Sequence, residues 1–569
     1  MNKNLPIKHI KIQNMVFAAA MLAAAVFLFW KCRYGFANMD ESLYLAIPYR
    51  FWQGDSMFVH EWNLSSFSSF LLLPFVYLYM FIVGTTEGML LTFRYIFTVV
   101  QGITAVFIYF KLKRYNWLGA FVAALTFFIY TPFGIMALSY NSMGIQCMTV
   151  ATLLFMTNDK KSKAACIMAG ILFAAAVLCC PYLVIVYALY SLLVLINVMR
   201  KGCFELDILQ KEYWLWTTVG IAALAVLFLG FALSRASVKD ILTSLPLLLN
   251  DPYHGNSSFR SIVAKYVKGI LYCNDISIYI FAAYAILLAV CILLRSKLDN
   301  SLFFCGAALI TGLFMAPFVT INIYINRTMF PVNMLALFCV LFTDNKEVKR
   351  LFKIVWIPGM MYGFCIHMAS TEGFFNIAST STVSLMASLV IVVITGKELI
   401  DKSRINWLRI LTVCAVIAVM IMQTASVAYT RYVSVFWESG MHTQKHMLSE
   451  GPEKGLIVSD EKVSLYNSFL EDTRNMREEI KPDSVLYVTK DTWNYLVSED
   501  TRTASFSAWL PEIDDITLER LIKYYEVNPD KIPQVIYALE YNHDFAQKLS
   551  QQYGYTETKT QHGNYLYTK

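Results

Sequence analysis

Charged residues are scarce in this chain: they make up 15% of its 569 residues, whereas hydrophobic residues make up 57%. Soluble globular proteins carry about 25% charged residues, so the composition excludes an ordinary soluble protein. The mean hydropathy of +0.51 agrees with this. Apolar runs long enough to cross about 30 Å of hydrocarbon recur along most of the chain. The sequence therefore predicts a polytopic α-helical membrane protein.

Cysteine is missing from the last part of the chain, because none of the 12 cysteines lies between residues 451 and 569. This excludes a disulfide framework there. The other cysteines are scattered singly, apart from Cys179-Cys180, which favours small core side chains over metal ligands. The C-terminal part also lacks a Gly-rich phosphate loop and the spacing of a catalytic triad.

The first apolar run, 14–31, is too long for a signal peptide and lacks a small-residue cleavage site, so we expect a permanent span.

Charges of the two signs are distributed unevenly. Residues 451–569 contain 13 Lys and Arg against 20 Asp and Glu, a net charge of −7, whereas the rest contains 34 against 20, a net charge of +14. A basic, apolar body joined to an acidic tail indicates two domains in two solvents. We predict a transmembrane domain at 1–433, a linker at 434–450 and a soluble domain at 451–569.

The tail has the pattern of a small α/β domain. Buried strands are predicted at 484–488 and 534–539, and amphipathic helices at 463–480 and 516–527. The Gly563-Asn564 pair predicts a turn into a last strand. No function follows from this pattern.

Basic clusters orient the spans, because Lys and Arg concentrate in cytoplasmic loops. Three lysines precede the first span, so we expect the N-terminus in the cytoplasm and the next loop outside. The following basic cluster, 111–114, is also expected inside, and only one of the two intervening apolar runs, 67–84 and 92–110, can then cross. Pro74 interrupts the first of them. We therefore place that run in the outer interface, within a loop at 32–91 that carries juxtamembrane helices.

The later basic clusters fall on alternate gaps, as an inside-outside alternation requires. The C-terminal domain is then expected outside the plasma (cytoplasmic) membrane. The thirteen predicted spans are 14–31, 92–110, 117–137, 140–157, 164–180, 182–199, 213–233, 269–294, 301–320, 328–343, 351–368, 381–395 and 405–423.

Two adjacent carboxylates, Asp40 and Glu41, follow the first span directly, where membrane meets water. Such a pair can sit against a lipid-linked substrate, or it can be a solvated loop. Further polar landmarks follow it. They are Tyr44, Gly54, His60-Glu61-Trp62, Gly84-x-x-Glu87 and Arg94.

In residues 36 to 114, and in the layout of most of the membrane domain, the chain resembles the GT-C glycosyltransferases. The resemblance is to the branch of protein O-mannosyltransferases and lipid A aminoarabinose transferases in particular. Members of that superfamily carry an acid after the first span, an outer loop with juxtamembrane helices, and an Arg that opens the next span.

The resemblance implies sugar transfer at the outer face, from a polyprenyl-phosphate or polyprenyl-diphosphate donor to a lipid, glycan or protein acceptor. By position, Asp40 would be the catalytic base, with Glu41 beside it. An inverting transfer needs such a base and needs cations for the leaving phosphate. Arg94 and Arg327 are the candidates for the phosphate, since a guanidinium binds two oxygens at once. The other predicted substrate-binding residues are Tyr44, His60, Glu61, Tyr140, Asn141 and His254.

One departure from the GT-C pattern concerns metal use. Many members have a second acid at the outer end of a later span, where this chain reads Leu138-Ser139-Tyr140-Asn141-Ser142. Asn141 can orient a sugar by hydrogen bonds, but it cannot act as a base or as a strong metal ligand. We therefore predict no cofactor and no obligatory metal, although a divalent ion stays possible. Membrane lipids are expected partners and nucleic acid is not.

Two alternatives stay open at this point. A transporter or flippase of lipid-linked glycans would show inverted repeats and charges near mid-membrane. The chain shows no such repeat, and its polar groups collect at the outer ends of the spans, which favours the enzyme. The third reading is a non-catalytic relative whose tail is the working part.

Overall fold

The computed structural model describes residues 7–36, 39–159, 161–204, 206–253, 259–272, 277–294, 298–321, 326–369, 377, 380–435, 440–497, 499–510 and 512–569. Nineteen helices of the N-terminal part are present among them. They are α1 (Ile7–Lys31), α2 (Asp40–Trp52), α3 (Ser66–Val83), α4 (Met89–Leu112), α5 (Trp117–Ile129), α6 (Tyr140–Met156), α7 (Lys163–Cys179), α8 (Val184–Met199), α9 (Lys211–Leu233), α10 (Val238–Leu249), α11 (Phe259–Tyr272), α12 (Ser277–Leu294), α13 (Asn300–Met315), α14 (Phe318–Ile321), α15 (Met329–Val340), α16 (Lys346–Leu351), α17 (Ile357–Ala369), α18 (Thr382–Lys402) and α19 (Asn406–Val433). A π-helical turn, Phe352–Trp356, joins α16 to α17.

The prediction of a polytopic helical protein is confirmed. Within the described residues, nine helices are long and apolar enough to cross a membrane, and four shorter helices are also apolar. Each of the thirteen predicted spans overlaps at least one helix. Span 269–294 overlaps α11 and α12, with residues 273–276 outside the described ones, and span 301–320 overlaps α13 and α14. Helices α5 and α6 begin after residues that are favoured as N-caps. The side chain of Asn116 accepts a hydrogen bond at the start of α5, and Ser139 forms a capping box with Ser142 at the start of α6.

Helix α18 is the centre of the membrane part. Most of its side chains are buried, and it packs against α5, α15 and α19. The approach to α5 is close because Gly119 has no side chain: a Cβ there would lie 2.8 Å from Cα of Val390. Small residues of this kind let helix backbones meet in a membrane, where apolar burial alone gives no driving force.

Helix α3 is long and apolar enough to cross a membrane, yet both of its flanks contact the C-terminal domain. Before α3, the backbone NH of Trp62 donates to the carbonyl of Phe506. After α3, the hydroxyl of Thr86 donates to the carbonyl of Leu496. Because both partners belong to the C-terminal domain, these contacts favour the prediction that this run does not span.

The C-terminal domain is built around a sheet, as the pattern predicted. The strands are β1 (His446–Met447), β2 (Ile457–Val458), β3 (Ser484–Val488), β4 (Arg502–Thr503), β5 (Val535–Ala538), β6 (Thr556–Lys559) and β7 (Tyr565–Thr568), of which β1 lies in the predicted linker. The strand order of the sheet is β4-β3-β5-β7-β6, with β3 parallel to β4 and β5, and β7 antiparallel to β5 and β6. The helices of the tail are α20 (Asp460–Glu479), α21 (Asn494–Val497), α22 (Asp515–Val527) and α23 (His543–Tyr553). The predicted strands and helices of the tail are all present within a few residues of their predicted limits.

Candidate active site

The two adjacent acids begin helix α2, and their side chains have different surroundings. Asp40 is half-buried, whereas Glu41 is buried, with 3% of its surface exposed. Both lie in the first turn, where the unpaired amides of a helix stabilise negative charge. The acid pair is thus one half-accessible carboxylate beside one that is enclosed.

Arg94 holds Glu41 in place. The guanidinium Nε and Nη2 both donate to the Glu41 carboxylate, the second bond measuring 2.6 Å from Nη2 to Oε2. Nη1 donates to the carbonyl of Cys32 at 2.7 Å, and Nη2 donates to that of Gly35 at 2.8 Å. The planar fork predicted to bind a phosphate therefore binds a carboxylate here, and it ties α4 to the segment between α1 and α2.

The C-terminal domain contacts the same turn. The hydroxyl of Thr492 donates to the carbonyl of Met39 at 2.7 Å and lies 2.6 Å from the hydroxyl of Ser42. Thr492 and Ser42 are fully buried. The turn that carries the acids is therefore held from the membrane part by Arg94 and from the C-terminal domain by Thr492.

A loop of the C-terminal domain also caps α4. The backbone amides of Gly88 and Leu90 donate to the carbonyls of Gly451 and Pro452, at 2.9 and 3.1 Å. These bonds satisfy amides that a helix start leaves without partners.

Glu453, the residue after Pro452, is fully buried, and its carboxylate oxygens have no hydrogen-bond partner among the described residues. Burial raises the pKa of Glu453 to about 8, and Glu41 lies within electrostatic range.

Two small cavities lie side by side, and one of them is lined by Glu41. This smaller cavity is also lined by Arg94, Val435 and the segments 34–36 and 134–136. The larger cavity shares Gly134 with it. Its other lining residues are Tyr130, Thr131, Asn326, Val427, Thr430, Arg431 and Ser434. The loop around Gly134, between α5 and α6, therefore separates a carboxylate-lined cavity from one lined by hydroxyl, amide and guanidinium groups.

Arg431 is the charged residue in the lining of the larger cavity. It is 5% exposed, and within the described part of the chain its Nε has no hydrogen-bond partner and its guanidinium forms no ion pair. Glu41 and Arg94 lie within its electrostatic range, as does Lys31, whose Nζ donates to the carbonyl of Tyr432 at 3.1 Å. Neither Lys31 nor Arg431 was predicted from the sequence to belong to the site. The signal was available, since a Lys and an Arg at predicted outer ends of spans run against the positive-inside rule.

Tyr44 and Tyr140, two predicted substrate-binding residues, are brought together. Their rings meet edge to face with centroids 5.7 Å apart, and both pack beside Ile135, which lines the smaller cavity. Asn141 is buried, and its Oδ1 has no partner within the described ranges. The structure therefore brings Tyr44 and Tyr140 together beside the smaller cavity, and the role of all three residues in substrate binding stays a prediction.

His60 and Glu61 belong to a different cluster, at the junction with the C-terminal domain. Glu61 is fully buried; its Oε2 accepts from Arg50 at 2.7 Å and from the amide of Ala508 at 3.2 Å. The amide of Ser56 donates to Nδ1 of His60 at 2.9 Å. Burial lowers the pKa of His60 to about 4 and raises that of Glu61. These contacts favour an architectural role over the predicted substrate binding.

The same cluster contains two more charges. Asp55 accepts from Nε of Arg50 at 2.7 Å and forms an ion pair with Lys531 of the C-terminal domain. Burial opposes ionisation of Asp55, but Arg50 and Lys531 outweigh it and lower the pKa of Asp55 to about 2. Breaking a buried pair of this kind costs about 3–5 kcal/mol, so the cluster fixes the C-terminal domain on the loop before α3.

The two remaining candidates are less informative. His254 lies outside the described residues. The Arg327 guanidinium lies over the ring of Phe318, 5.3 Å from its centroid, and its neighbour Asn326 lines the larger cavity. Within the described chain, no group of three His, Cys, Asp or Glu side chains could hold a metal ion. The predicted absence of an obligatory metal stays a prediction.

No family model and no curated protein matches this chain. Solved structures of an oligosaccharyltransferase from Archaeoglobus fulgidus are similar to it. One, tethered with an acceptor peptide containing the NVT sequon, is 12% identical, with 97% of this chain and 74% of that chain covered and a TM-score of 0.49. A second, named AglB, in complex with an inhibitory peptide and a dolichol-phosphate, is 11% identical, with the same coverage and a TM-score of 0.47.

A third structure of the same oligosaccharyltransferase, in complex with zinc and sulfate, is 12% identical, with 96% and 73% of the two chains covered and a TM-score of 0.47. The peptide, dolichol-phosphate and zinc are ligands of those complexes. None of these three structures is of an O-mannosyltransferase or an aminoarabinose transferase, so that finer assignment stays a prediction. We assign the chain to no family from these matches.

Proposed function

We propose that this protein is a GT-C-type glycosyltransferase that moves a sugar from a polyprenyl-phosphate-linked donor to an acceptor at the outer face of the membrane. One observation carries the proposal: the buried guanidinium of Arg431, with an Nε that has no partner among the described residues, lines a cavity that adjoins the one lined by Glu41. A buried charge without a counter-ion is costly, so the site is suited to an anion that arrives from outside the chain.

The lining of the larger cavity fits a phosphate group. Hydroxyls of Thr131, Thr430 and Ser434 and the amide of Asn326 can donate to phosphate oxygens beside the Arg431 guanidinium. Lys31 lies within electrostatic range of Arg431, and a phosphate bound there would favour the charged form of its amine. Arg431 thus takes the role that the sequence pattern gave to Arg94, whose fork is occupied by Glu41.

The proposed reaction follows from these positions. The Asp40 carboxylate takes the proton of the acceptor hydroxyl as the acceptor oxygen bonds to the anomeric carbon. The bond between that carbon and the phosphate oxygen breaks, and the electron pair leaves with the polyprenyl phosphate. Arg431 and Lys31 stabilise the negative charge that develops on this phosphate. Glu41, fixed by Arg94, holds the turn that presents Asp40.

The test uses purified protein, radiolabelled polyprenyl-phosphate sugar and an extract of candidate acceptors. Asp40→Asn should lower transfer about 10²- to 10⁴-fold, because the amide cannot accept the proton. Arg431→Lys keeps the charge but loses the bidentate hydrogen bonds to the phosphate, and we expect the rate of sugar transfer to fall about 10²- to 10³-fold. Arg409→Lys is the matched control: it makes the same change on α19, about 33 Å away along the helix.

The outcomes separate the enzyme from a flippase. Sugar that leaves the lipid in wild type and in Arg409→Lys, but not in Asp40→Asn, supports the transferase. Full transfer by Asp40→Asn overturns the assignment of the base. Lipid-linked sugar that stays intact with every acceptor pool, together with its translocation in reconstituted vesicles, replaces the proposal with the flippase.

A further inference from the structure

Helix α10 has three different faces, and one of them has no partner within the described chain. Four residues separate the end of α9 from the start of α10, where Ser237 and Asp240 form a capping box. With 3.6 residues per turn, its side chains divide into a buried face, an exposed polar face and an exposed apolar face. The first two have evident surroundings, namely the C-terminal domain and water.

The buried face of α10 supports the C-terminal domain. Leu248 is fully buried in one apolar cluster with Leu518 and Leu521 of α22. The Arg520 guanidinium forms an ion pair with Asp251, 3.0 Å from Nη1 to Oδ1, just after α10 ends. The C-terminal domain therefore rests directly on this helix.

The exposed apolar face consists of Val238, Leu242 and Leu249, which are 58%, 62% and 61% exposed. Their spacings of four and seven residues place the three side chains within about 40° of one another around the helix. Lys239 and Thr243, on the neighbouring face, are exposed as well. A helix with one apolar and one polar exposed face is suited to a boundary between hydrocarbon and water.

We infer that α10 lies in the lipid–water interface, with Val238, Leu242 and Leu249 in the lipid. The occupant is a lipid surface because the apolar face continues a lipid-facing one. Leu229 and Leu233, at the end of the apolar helix α9, are 52% and 49% exposed. The inference is independent of the proposed enzymatic activity. It gives α10 a mechanical role, since a helix fixed at the bilayer surface sets the height of the domain that rests on it.

Photocrosslinking in lipid nanodiscs tests this placement. The photoreactive residue p-benzoylphenylalanine replaces Leu242 in one variant of the full-length protein and Thr243 in a matched control. Both variants are checked for a monodisperse elution profile before irradiation. Mass spectrometry of the irradiated protein should find phospholipid adducts at position 242 and none at position 243.

Three results would overturn the inference. Equal lipid adducts at both positions would mean that the whole helix is immersed. A crosslinked dimer from position 242 would mean that a second copy of the chain covers the apolar face. No lipid adduct at position 242, with the protein folded, would mean that this face meets water.

Discussion

At the scale of single residues, the acid pair shows that adjacent identical charges can have separate tasks. Glu41 is enclosed and saturated by Arg94, so its environment is that of a structural ion pair. Asp40 is half-buried beside it and is the more exposed of the two carboxylates. This difference in burial could not be predicted from the order of the two residues in the sequence, because the burial of each depends on which side of α2 faces Arg94.

Glu453 gives a pH dependence of stability. An unfolded glutamate has a pKa of about 4.3, whereas burial raises the pKa of Glu453 to about 8. Between these values the folded state binds more protons than the unfolded state, so stability falls as pH rises and is lowest above pH 8. Glu453→Gln removes the charge, and its unfolding temperature should exceed that of wild type by several degrees at pH 8 and by little at pH 5.

The measurement is thermal unfolding in detergent at the two pH values. Glu450→Gln serves as the control, because Glu450 is exposed and lies in the same loop. A stabilisation by Glu453→Gln that is equal at pH 5 and pH 8 would contradict the raised pKa.

At the scale of elements, the first turn of α2 depends on contacts from both parts of the chain. Arg94 approaches it from α4, and Thr492 from the C-terminal domain. Neither contact could be predicted from the sequence, because the partners are 53 and 450 residues apart. The helices themselves were predictable, since apolar runs of membrane length specify them locally.

Thr492→Val tests the contact from the C-terminal domain. The variant keeps the shape of the side chain and removes the hydroxyl that bonds to Met39 and Ser42. We expect a loss of stability of about 1–3 kcal/mol from the unpaired buried groups. Transfer activity should also fall through kcat with KM nearly unchanged, because the turn that presents Asp40 is displaced while the donor cavity stays intact.

Rescue distinguishes positioning from general destabilisation. Thr492→Ser restores the hydroxyl and should recover kcat to near the wild-type level. If Thr492→Val loses stability and retains wild-type kcat below its unfolding temperature, the contact is structural only.

At the scale of the whole molecule, the helical body and the α/β tail were predictable, and their mutual docking was not. His60 and Glu61 illustrate the reason. In sequence they are a polar pair in an outer loop, which reads as a binding site. Their burial depends on Arg50 and on the arrival of Ala508 from the distant tail. The pattern of polar and apolar residues predicts whether a segment faces lipid, water or the protein core, but it does not predict which segments pack against each other.

Membrane topology supplies a test at this scale. Glu87 forms an ion pair with Lys454, so the α3–α4 connection lies on the same side of the membrane as the C-terminal domain. Cysteines at Glu87 and Asn467, both exposed positions, should label with an impermeant maleimide on intact cells. Arg200→Cys, at a predicted cytoplasmic position, should label only after permeabilisation, with the wild-type chain as background for native cysteines.

The labelling pattern has a clear contrary result. Glu87→Cys and Asn467→Cys that label only in permeabilised cells would place the C-terminal domain in the cytoplasm. Labelling at one of these positions without the other would mean that α3 crosses the membrane.

The dependence of the acid-bearing turn on Thr492 also has a consequence for biogenesis. Ribosomes make the chain from its N-terminus, so the membrane helices insert before Thr492 and Lys531 have been synthesised. Until then Asp55 lacks its ion pair with Lys531, and the carbonyl of Met39 lacks its hydrogen bond from Thr492. We therefore expect a chain that ends before Thr492 to insert into the membrane without the contact from the C-terminal domain that holds the turn of the two acids.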